Sequence, residues 1–151
     1  VDRIVEYYFN SNAGAGVPDD KNVIACIGNQ IQPECVAGFN RFVKNSENEC
    51  KLVLGEWLDG VGLENARLLW VLDKNVEPKT VGIGLKNKLP LLFPAEHTRL
   101  KALCQREKCG LSYRADPIEI ETHLKFLIEN ETVRESMAKN ALRAFYTDGL
   151  C

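Results

Sequence analysis

Short runs of consecutive apolar residues alternate along this chain with segments whose apolar positions have helical spacing. The runs at 22–29, 50–56 and 89–94 have few polar residues between their ends. A strand that does not alternate between apolar and polar positions is covered on both faces, as the strands of a parallel sheet are. The pattern therefore predicts buried strands in these runs and a last short strand at 110–114.

Helices are predicted between these strands and after the last of them. Pro33 stands in the first turn of a helix that extends to Asn45, a position that proline favours. Asp116 and Pro117 form a second start signal, because an N-cap residue is followed by a proline at the first helical position. The segment 64–75 fits either a buried strand or a helix. Further helices are predicted over 76–88, 97–108 and 132–146.

The order of these elements predicts an α/β fold. Strands that alternate with helices at this spacing form a mostly parallel sheet, because each parallel connection needs a crossover. We expect a Rossmann-like, three-layer domain that ends in a pair of helices. The 151 residues are the length of one domain, so we assign 1–151 to a single α/β domain.

Charge and cysteine content restrict the classes of partner. The chain has 19 Lys and Arg against 21 Asp and Glu, so we expect no nucleic-acid partner that binds through bulk positive charge. No apolar run reaches the roughly 18 residues that cross a bilayer. Six cysteines without a C-x-x-C pair favour reduced thiols over disulfides or a metal site. We therefore expect a cytoplasmic protein that holds no metal.

The first candidate site is the loop Gly28-Asn29-Gln30, at the end of the first predicted strand. Ligands of open parallel sheets bind beyond the carboxyl ends of the strands. Glycine lets the backbone approach a ligand there, and the N-terminus of the following helix attracts phosphate. The loop matches neither the GxGxxG nor the Walker A motif, so an ordinary strand-to-helix turn is the alternative, and no cofactor is predicted.

The second candidate site is the segment EPKTVGIGL at 77–85. Glu77 could accept hydrogen bonds from ribose hydroxyls, while Lys79 and the amides near Thr80 and Gly82 could hold phosphate. The alternative is a helix that its glycines weaken and that packs closely on the sheet.

The pair Glu96-His97 and the single His123 invite an interpretation as acid–base groups. For the pair and for His123, a structural role without acid–base chemistry is the stronger interpretation. Glu96 and His97 stand where a helix starts and are expected to be exposed to solvent. His123 lies on the apolar face of a predicted helix, so we interpret it as a core or boundary residue.

The stretch that begins at Lys88 is the most informative part of the chain. Its pattern, in order, is Lys88-Leu89-Pro90-Leu91-Leu92, Cys109-Gly110-Leu111, Asp116-Pro117, Leu124…Leu127…Glu129-Asn130 and Arg134…Met137…Asn140-Ala141…Arg143. This succession resembles the end of a two-domain glycosyltransferase of the GT-B fold, of the "glycosyl transferases group 1" type. NVIACIGNQIQPE and CKLVLGE resemble earlier strands of that family more loosely, so the likeness spans residues 22–146.

The resemblance implies a nucleotide-sugar-binding domain, the C-terminal half of a two-domain enzyme that transfers a sugar from an NDP-sugar to an acceptor. It also implies that catalysis needs an N-terminal acceptor-binding domain, which we expect to be missing from this chain. The chain alone should then be inactive. The parent enzyme could associate peripherally with a membrane.

Several positions depart from the family pattern. The family's Arg after the strand glycine is Asn29 here, and its Lys after Pro-Glu is Cys35. The paired glutamates fall on Asn75 and Ile83, which leaves Glu77 as the nearest carboxylate. The stretch after the second strand is also short by about one strand–helix unit. Fewer positive charges are thus available for a leaving diphosphate.

The sequence is compatible with three functions. The first is the donor-binding half of a glycosyltransferase. The second is a degenerate, non-catalytic domain of the same fold that acts as an interaction module, which the missing Arg, Lys and Glu pair favour. The third is a flavodoxin-like nucleotide-binding or receiver-type domain, although the first strand lacks an acidic cluster or a phosphate loop. Fold alone cannot separate them.

Overall fold

A computed structural model describes residues 22–28, 30–45, 50–54 and 66–148 of the chain. The described strands are β1 (Asn22–Ile27), β2 (Cys50–Leu54), β3 (Ala66–Val71), β4 (Leu91–Pro94) and β5 (Gly110–Tyr113). The described helices are α1 (Pro33–Asn45), α2 (Pro78–Lys86), α3 (Thr98–Glu107), α4 (Pro117–Glu129) and α5 (Glu131–Asp148). The alternation of strands and helices that the sequence predicts is confirmed.

The described strands form one five-stranded sheet in the order β2-β1-β3-β4-β5, and each of their pairings is parallel. The ambiguous segment 64–75 contains strand β3, which pairs with β1 so that Cys26 lies beside Trp70. The chain adds β2 on one side of β1 and then continues with β3 on the other side. The strand order therefore reverses at β1, and the α/β fold class is confirmed.

Helices cover the sheet on both faces, which gives three layers. On one face, Ile24 and Trp70 pack with Phe39 of α1 and Leu124 of α4. The other face of the sheet packs against α2, α3 and the last helix α5, where Ala141 is buried. Because both faces are covered, the strands are apolar at consecutive positions, as the sequence pattern indicates.

The start of α4 follows the sequence signal closely. The Asp116 side chain accepts a hydrogen bond from the backbone N–H of Ile118 at 3.0 Å, and Pro117 occupies the first turn. The cap satisfies one of the backbone donors that a helix start leaves without a partner in the helix. The predicted N-cap and proline are thus confirmed.

Residues of the C-terminal family-like pattern fasten α5 to the rest of the domain. Arg134 donates a hydrogen bond to the backbone carbonyl of Leu127 at 2.8 Å, at the end of α4. The side-chain amide of Asn140 donates to the carbonyl of Lys108 at 3.0 Å, and Ala141 is fully buried. These contacts give the pattern a packing role. Within the described part of the chain, no helix has the length and apolar character that crossing a bilayer requires.

Candidate functional site

A cavity of about 170 Å³ lies at the carboxyl edge of the sheet. Its walls come from the segments that follow β1, β3, β4 and β5, together with the first turn of α1. In open parallel sheets, ligands bind at this edge, next to the position where the strand order reverses. The cavity therefore lies where the fold favours a ligand site.

Asp73 organises two walls of this cavity. Its side chain is buried, at 3% exposure, directly after β3. Oδ2 accepts a hydrogen bond from the backbone N–H of Gln30 at 3.1 Å, and Oδ1 accepts one from the N–H of Asn75 at 2.7 Å. Gln30 and Asn75 both line the cavity. One carboxylate thus holds the β1–α1 loop and the β3–α2 loop in a fixed relation.

Gly28 lies against the same carboxylate, which leaves no space for a side chain at this position. A Cβ atom at this position would lie 2.9 Å from the Cβ of Leu72 and 3.1 Å from Oδ2 of Asp73. Its φ of +154° is also one that residues with side chains rarely adopt. The glycine is therefore required by the close approach of two loops at the cavity wall.

Tyr113 and Cys35 form a polar part of the cavity lining. The Tyr113 hydroxyl donates a hydrogen bond to the carbonyl of Val71 at 2.7 Å. Since its one hydrogen is used there, the Cys35 thiol, 3.4 Å away, donates to the Tyr113 oxygen. Burial raises the pKa of the Cys35 thiol to about 11, so it is protonated at neutral pH. The thiol is consequently a hydrogen-bonding group here and a poor nucleophile.

The charged side chains at the cavity are mainly acidic. Glu34, Asp73 and Glu96 line it together with Lys74, the one base among the lining residues that the structure describes. Lys74 and Glu96 are both well exposed, with 3.9 Å between Nζ and Oε2, so this ion pair contributes little. The lining suits a ligand group that donates hydrogen bonds better than it suits a phosphate.

The residues of the first predicted loop differ in their position relative to the cavity. Gln30 lines the cavity, and Gly28 lies behind it against Asp73. Asn29 lies outside the described residues. The two described residues of this loop therefore lie at the cavity or directly behind it, and the close packing against Leu72 and Asp73 accounts for the glycine.

The second predicted segment lies beside the cavity without lining it. Glu77 is the N-cap of α2, its side chain makes no capping hydrogen bond, and it is exposed, as is Lys79. The backbone N–H groups of Thr80 and Val81 both donate to the carbonyl of Glu77, at 3.0 and 3.3 Å. Gly82 is buried in the second turn of the helix. None of the predicted residues of this segment is among the described lining residues.

Packing explains the second glycine of α2. A Cβ atom at Gly84 would lie 2.5 Å from Cδ2 of Leu69 in strand β3. The helix can approach the sheet this closely because residue 84 has no side chain. The alternative that α2 is a glycine-containing helix packed closely on the sheet is thus supported at this position.

Glu96 and His97 are neighbours in the chain but have different environments in the structure. Glu96 is exposed and lines the cavity, whereas His97 is buried, so the expectation of an exposed histidine was wrong. Nδ1 of His97 accepts the backbone N–H of Leu100 at 3.3 Å and Nε2 donates to the carbonyl of Val76 at 2.8 Å. The ring caps α3 and ties it to the β3–α2 connection, which leaves both nitrogens engaged in structure.

His123 is a boundary residue, as expected. It is half-buried on α4, and neither ring nitrogen has a hydrogen-bond partner among the described residues. Burial lowers the pKa of His123 below its usual range. Burial therefore disfavours the protonated ring, which lies away from the cavity lining.

Several lining residues were missed by the sequence analysis. Asp73, Asn75 and Tyr113 each follow or end an apolar run, which is the signal that placed Gln30 at a strand end. Asn75 is also the position on which the first glutamate of the family pattern falls. Gln32 and Glu34 line the cavity from the start of α1, where the sequence marks a helix start but nothing more.

The described cysteines and carboxylates give no sign of a metal centre. Cys26, Cys35, Cys104 and Cys109 are all buried and in no disulfide. Within the described ranges, no three His, Cys, Asp or Glu side chains are grouped so that they could hold a metal ion.

No protein-family model matches the sequence, and a search of curated proteins finds no match either.

Proposed function

We propose that this chain is the donor-binding domain of a glycosyltransferase, and that the cavity at the carboxyl edge binds one hydroxylated ring of an NDP-sugar. The observation that carries the proposal is the position and lining of this cavity, beside the reversal of strand order and between hydrogen-bonding side chains. Transfer to an acceptor would require a further, N-terminal domain that faces this edge of the sheet.

The lining favours a sugar or ribose ring over the diphosphate. Glu34 and Glu96 offer carboxylate oxygens that accept hydrogen bonds from hydroxyls, and Gln30 and Asn75 add side chains that both donate and accept. A diphosphate inside the same space would meet more carboxylates than bases. We therefore place the ring in the cavity and the diphosphate at its rim, where Lys74 is exposed.

The size of the cavity is consistent with part of a ligand. Pockets that enclose a whole small molecule have volumes of about 300–1,000 Å³. The 170 Å³ here are enough for one ring, so the rest of an NDP-sugar would extend from the cavity. A second domain that faces this edge would cover the exposed part, in keeping with a two-domain parent enzyme that could associate peripherally with a membrane.

The sheet order is compatible with the family resemblance. Rossmann folds have the order 3-2-1-4-5-6. Removing the outermost strand and its helix, the unit by which the sequence is short, leaves the observed order β2-β1-β3-β4-β5. Flavodoxin-like domains share this order and also bind a nucleotide at the reversal, so the sheet order is shared by both families.

An interaction module is the second candidate, because Cys35 and the acidic lining leave few cations for a donor diphosphate. In that case, the same edge would contact a protein and hold no nucleotide. For either candidate, we propose a cytoplasmic location, which the four described cysteines, all buried and in no disulfide, support.

The test is a titration of the chain with NDP-sugars. UDP- and GDP-sugars, the matching nucleotides and the free sugars are added while thermal unfolding and binding heat are measured. A donor at 100 times its Kd should stabilise the fold by about 2.7 kcal/mol. If no nucleotide or NDP-sugar shifts unfolding at millimolar concentration, the interaction module is the better description.

A pair of variants localises the binding. Glu96→Gln removes a carboxylate from the cavity and should weaken binding of the NDP-sugar, whereas Glu135→Gln changes an exposed carboxylate on α5 and should leave it unchanged. Equal affinities of the two variants would place the ligand elsewhere on the domain.

A further inference from the structure

Cys104 and Cys109 are brought together by the way α3 ends. Lys108 adopts the left-handed conformation, with φ at 59°, and its N–H donates to the carbonyl of Cys104 at 2.9 Å. A left-handed cap of this kind places the residue that follows it against the last turn of the helix. As a result, the two sulfur atoms are 3.5 Å apart.

The two thiols differ in access to solvent. Cys104 is 8% exposed and lines a second, open cavity of about 240 Å³ between α3 and the strands β4 and β5, beside Lys101 and Ser112. Cys109 is fully buried, at 0% exposure. A small reagent that enters this cavity therefore reaches Cys104 before Cys109, which does not line it.

We propose that Cys104 and Cys109 are a redox-active dithiol, which a low-molecular-weight disulfide such as oxidised glutathione converts to an intramolecular disulfide. The Cys104 thiolate attacks one sulfur of the reagent, which breaks the reagent's S–S bond and releases the first thiol. The Cys109 thiolate then attacks the sulfur of Cys104 and releases the second thiol. Both cysteine protons end on the released thiols, so two electrons pass from the pair to the reagent.

Local packing permits the bond to form. The sulfur atoms must approach from 3.5 Å to about 2.05 Å, which is the length of a disulfide bond. Gly110 leaves room beside them, because a Cβ there would lie 3.1 Å from the sulfur of Cys104. The hydrogen bond to Cys109 and burial both raise the pKa of Cys104, so this thiol, like that of Cys35, is a poor nucleophile at neutral pH. The exchange is therefore slow at neutral pH and becomes faster as the pH rises, because a larger fraction of the thiol is ionised.

The experiment exploits the tryptic sites between the two cysteines. Arg106 and Lys108 separate them, so digestion places Cys104 and Cys109 on different peptides, 102–106 and 109–114. The native chain is incubated with oxidised glutathione at pH 7.5 and 8.5, the remaining thiols are alkylated, and the digest is analysed by mass spectrometry. The expected result is a disulfide-linked pair of these two peptides, which is lost after reduction and forms faster at pH 8.5.

The variants test the order of the two steps. Cys109→Ala should leave a stable glutathione adduct on Cys104, while Cys104→Ala should leave Cys109 unmodified because it is buried; Cys109→Ser and Cys104→Ser replace them if either alanine variant fails to fold. In the wild type, oxidation should raise the thermal midpoint by roughly 3–6 °C, because the cap is closed covalently. A glutathione adduct that persists on wild-type Cys104 would overturn the proposal. Two thiols that stay unmodified in the native chain, but react in urea, would do the same.

Discussion

Asp73 accepts a hydrogen bond at 3.1 Å from the backbone N–H of Gln30, a residue that lies 43 positions earlier in the chain. The two residues follow neighbouring strands, β3 and β1, whose carboxyl ends meet at the same edge of the sheet. Because Asp73 also holds the N–H of Asn75, its carboxylate sets the spacing of two walls of the cavity. The shape of the candidate site therefore depends on one buried side chain.

Replacing Asp73 should destabilise the domain. Asp73→Ala leaves the N–H groups of Gln30 and Asn75 without their acceptor, which should cost about 2–4 kcal/mol of unfolding free energy. Asp73→Asn keeps one oxygen acceptor and should cost about half as much, roughly 1–2 kcal/mol. Urea unfolding followed by circular dichroism measures both. Equal stability of the alanine variant and the wild type would show that neither hydrogen bond matters.

Gly28 should tolerate no side chain. Gly28→Ala places a Cβ 2.9 Å from that of Leu72 and forces a backbone conformation that alanine disfavours, with φ at +154°. We expect a loss of about 1–3 kcal/mol in unfolding free energy, together with weaker binding of any ligand at the cavity. An alanine variant with wild-type stability would contradict the close approach of the two loops.

His123 should make stability depend on pH. Burial lowers the pKa of this ring in the folded state, so the unfolded chain binds a proton more readily. The unfolding free energy therefore keeps its full value above about pH 6.5, the pKa of histidine in an unfolded chain. It decreases as the pH falls below this value and through the lower pKa of the folded state. His123→Leu removes this titration along with two unpartnered ring nitrogens.

The measurement is urea unfolding of the wild type and His123→Leu between pH 5 and 7.5. The leucine variant should lose less stability toward pH 5 and should be at least as stable at pH 7.5. The two proteins differ at residue 123 alone, so the difference between their pH profiles reports this position. Parallel pH profiles for the two proteins would rule out a lowered pKa at His123.

Two arginines of α5 should differ in their contribution to stability. Arg134 donates to the carbonyl of Leu127 at the end of α4, so Arg134→Met should cost about 1–2 kcal/mol. Arg143 pairs with Glu107 at 3.2 Å but is well exposed, so Arg143→Met should cost less than about 0.5 kcal/mol. Thermal unfolding of the two variants gives the comparison. A larger loss of stability for Arg143→Met than for Arg134→Met would contradict this prediction.

Much of the secondary structure could be predicted from local signals. The proline at position 33 and the Asp116-Pro117 pair mark helix starts because their effects depend on the nearest backbone groups alone. The segment 64–75 could not be assigned in this way. An apolar run of this length fits a strand or a helix, and the pairing of β3 with β1 decides between them.

The candidate site could be predicted only in part. Strand-end reasoning places Gln30 at the cavity and draws attention to Glu96, because a strand end is visible in the sequence. It did not find Asp73 or Tyr113, whose roles depend on contacts with residues far away in the chain. It also could not show that His97 turns inward to cap α3.

The sequence by itself determined the α/β class, the alternation of elements and the apolar strands covered on both faces, since periodicity and helix-start signals act over a few neighbouring residues. The tertiary structure alone decided the order β2-β1-β3-β4-β5 and the meeting of the loops that Asp73 joins. Distances between loops depend on which strands are adjacent, and adjacency is set by packing across the whole sheet rather than by any local segment.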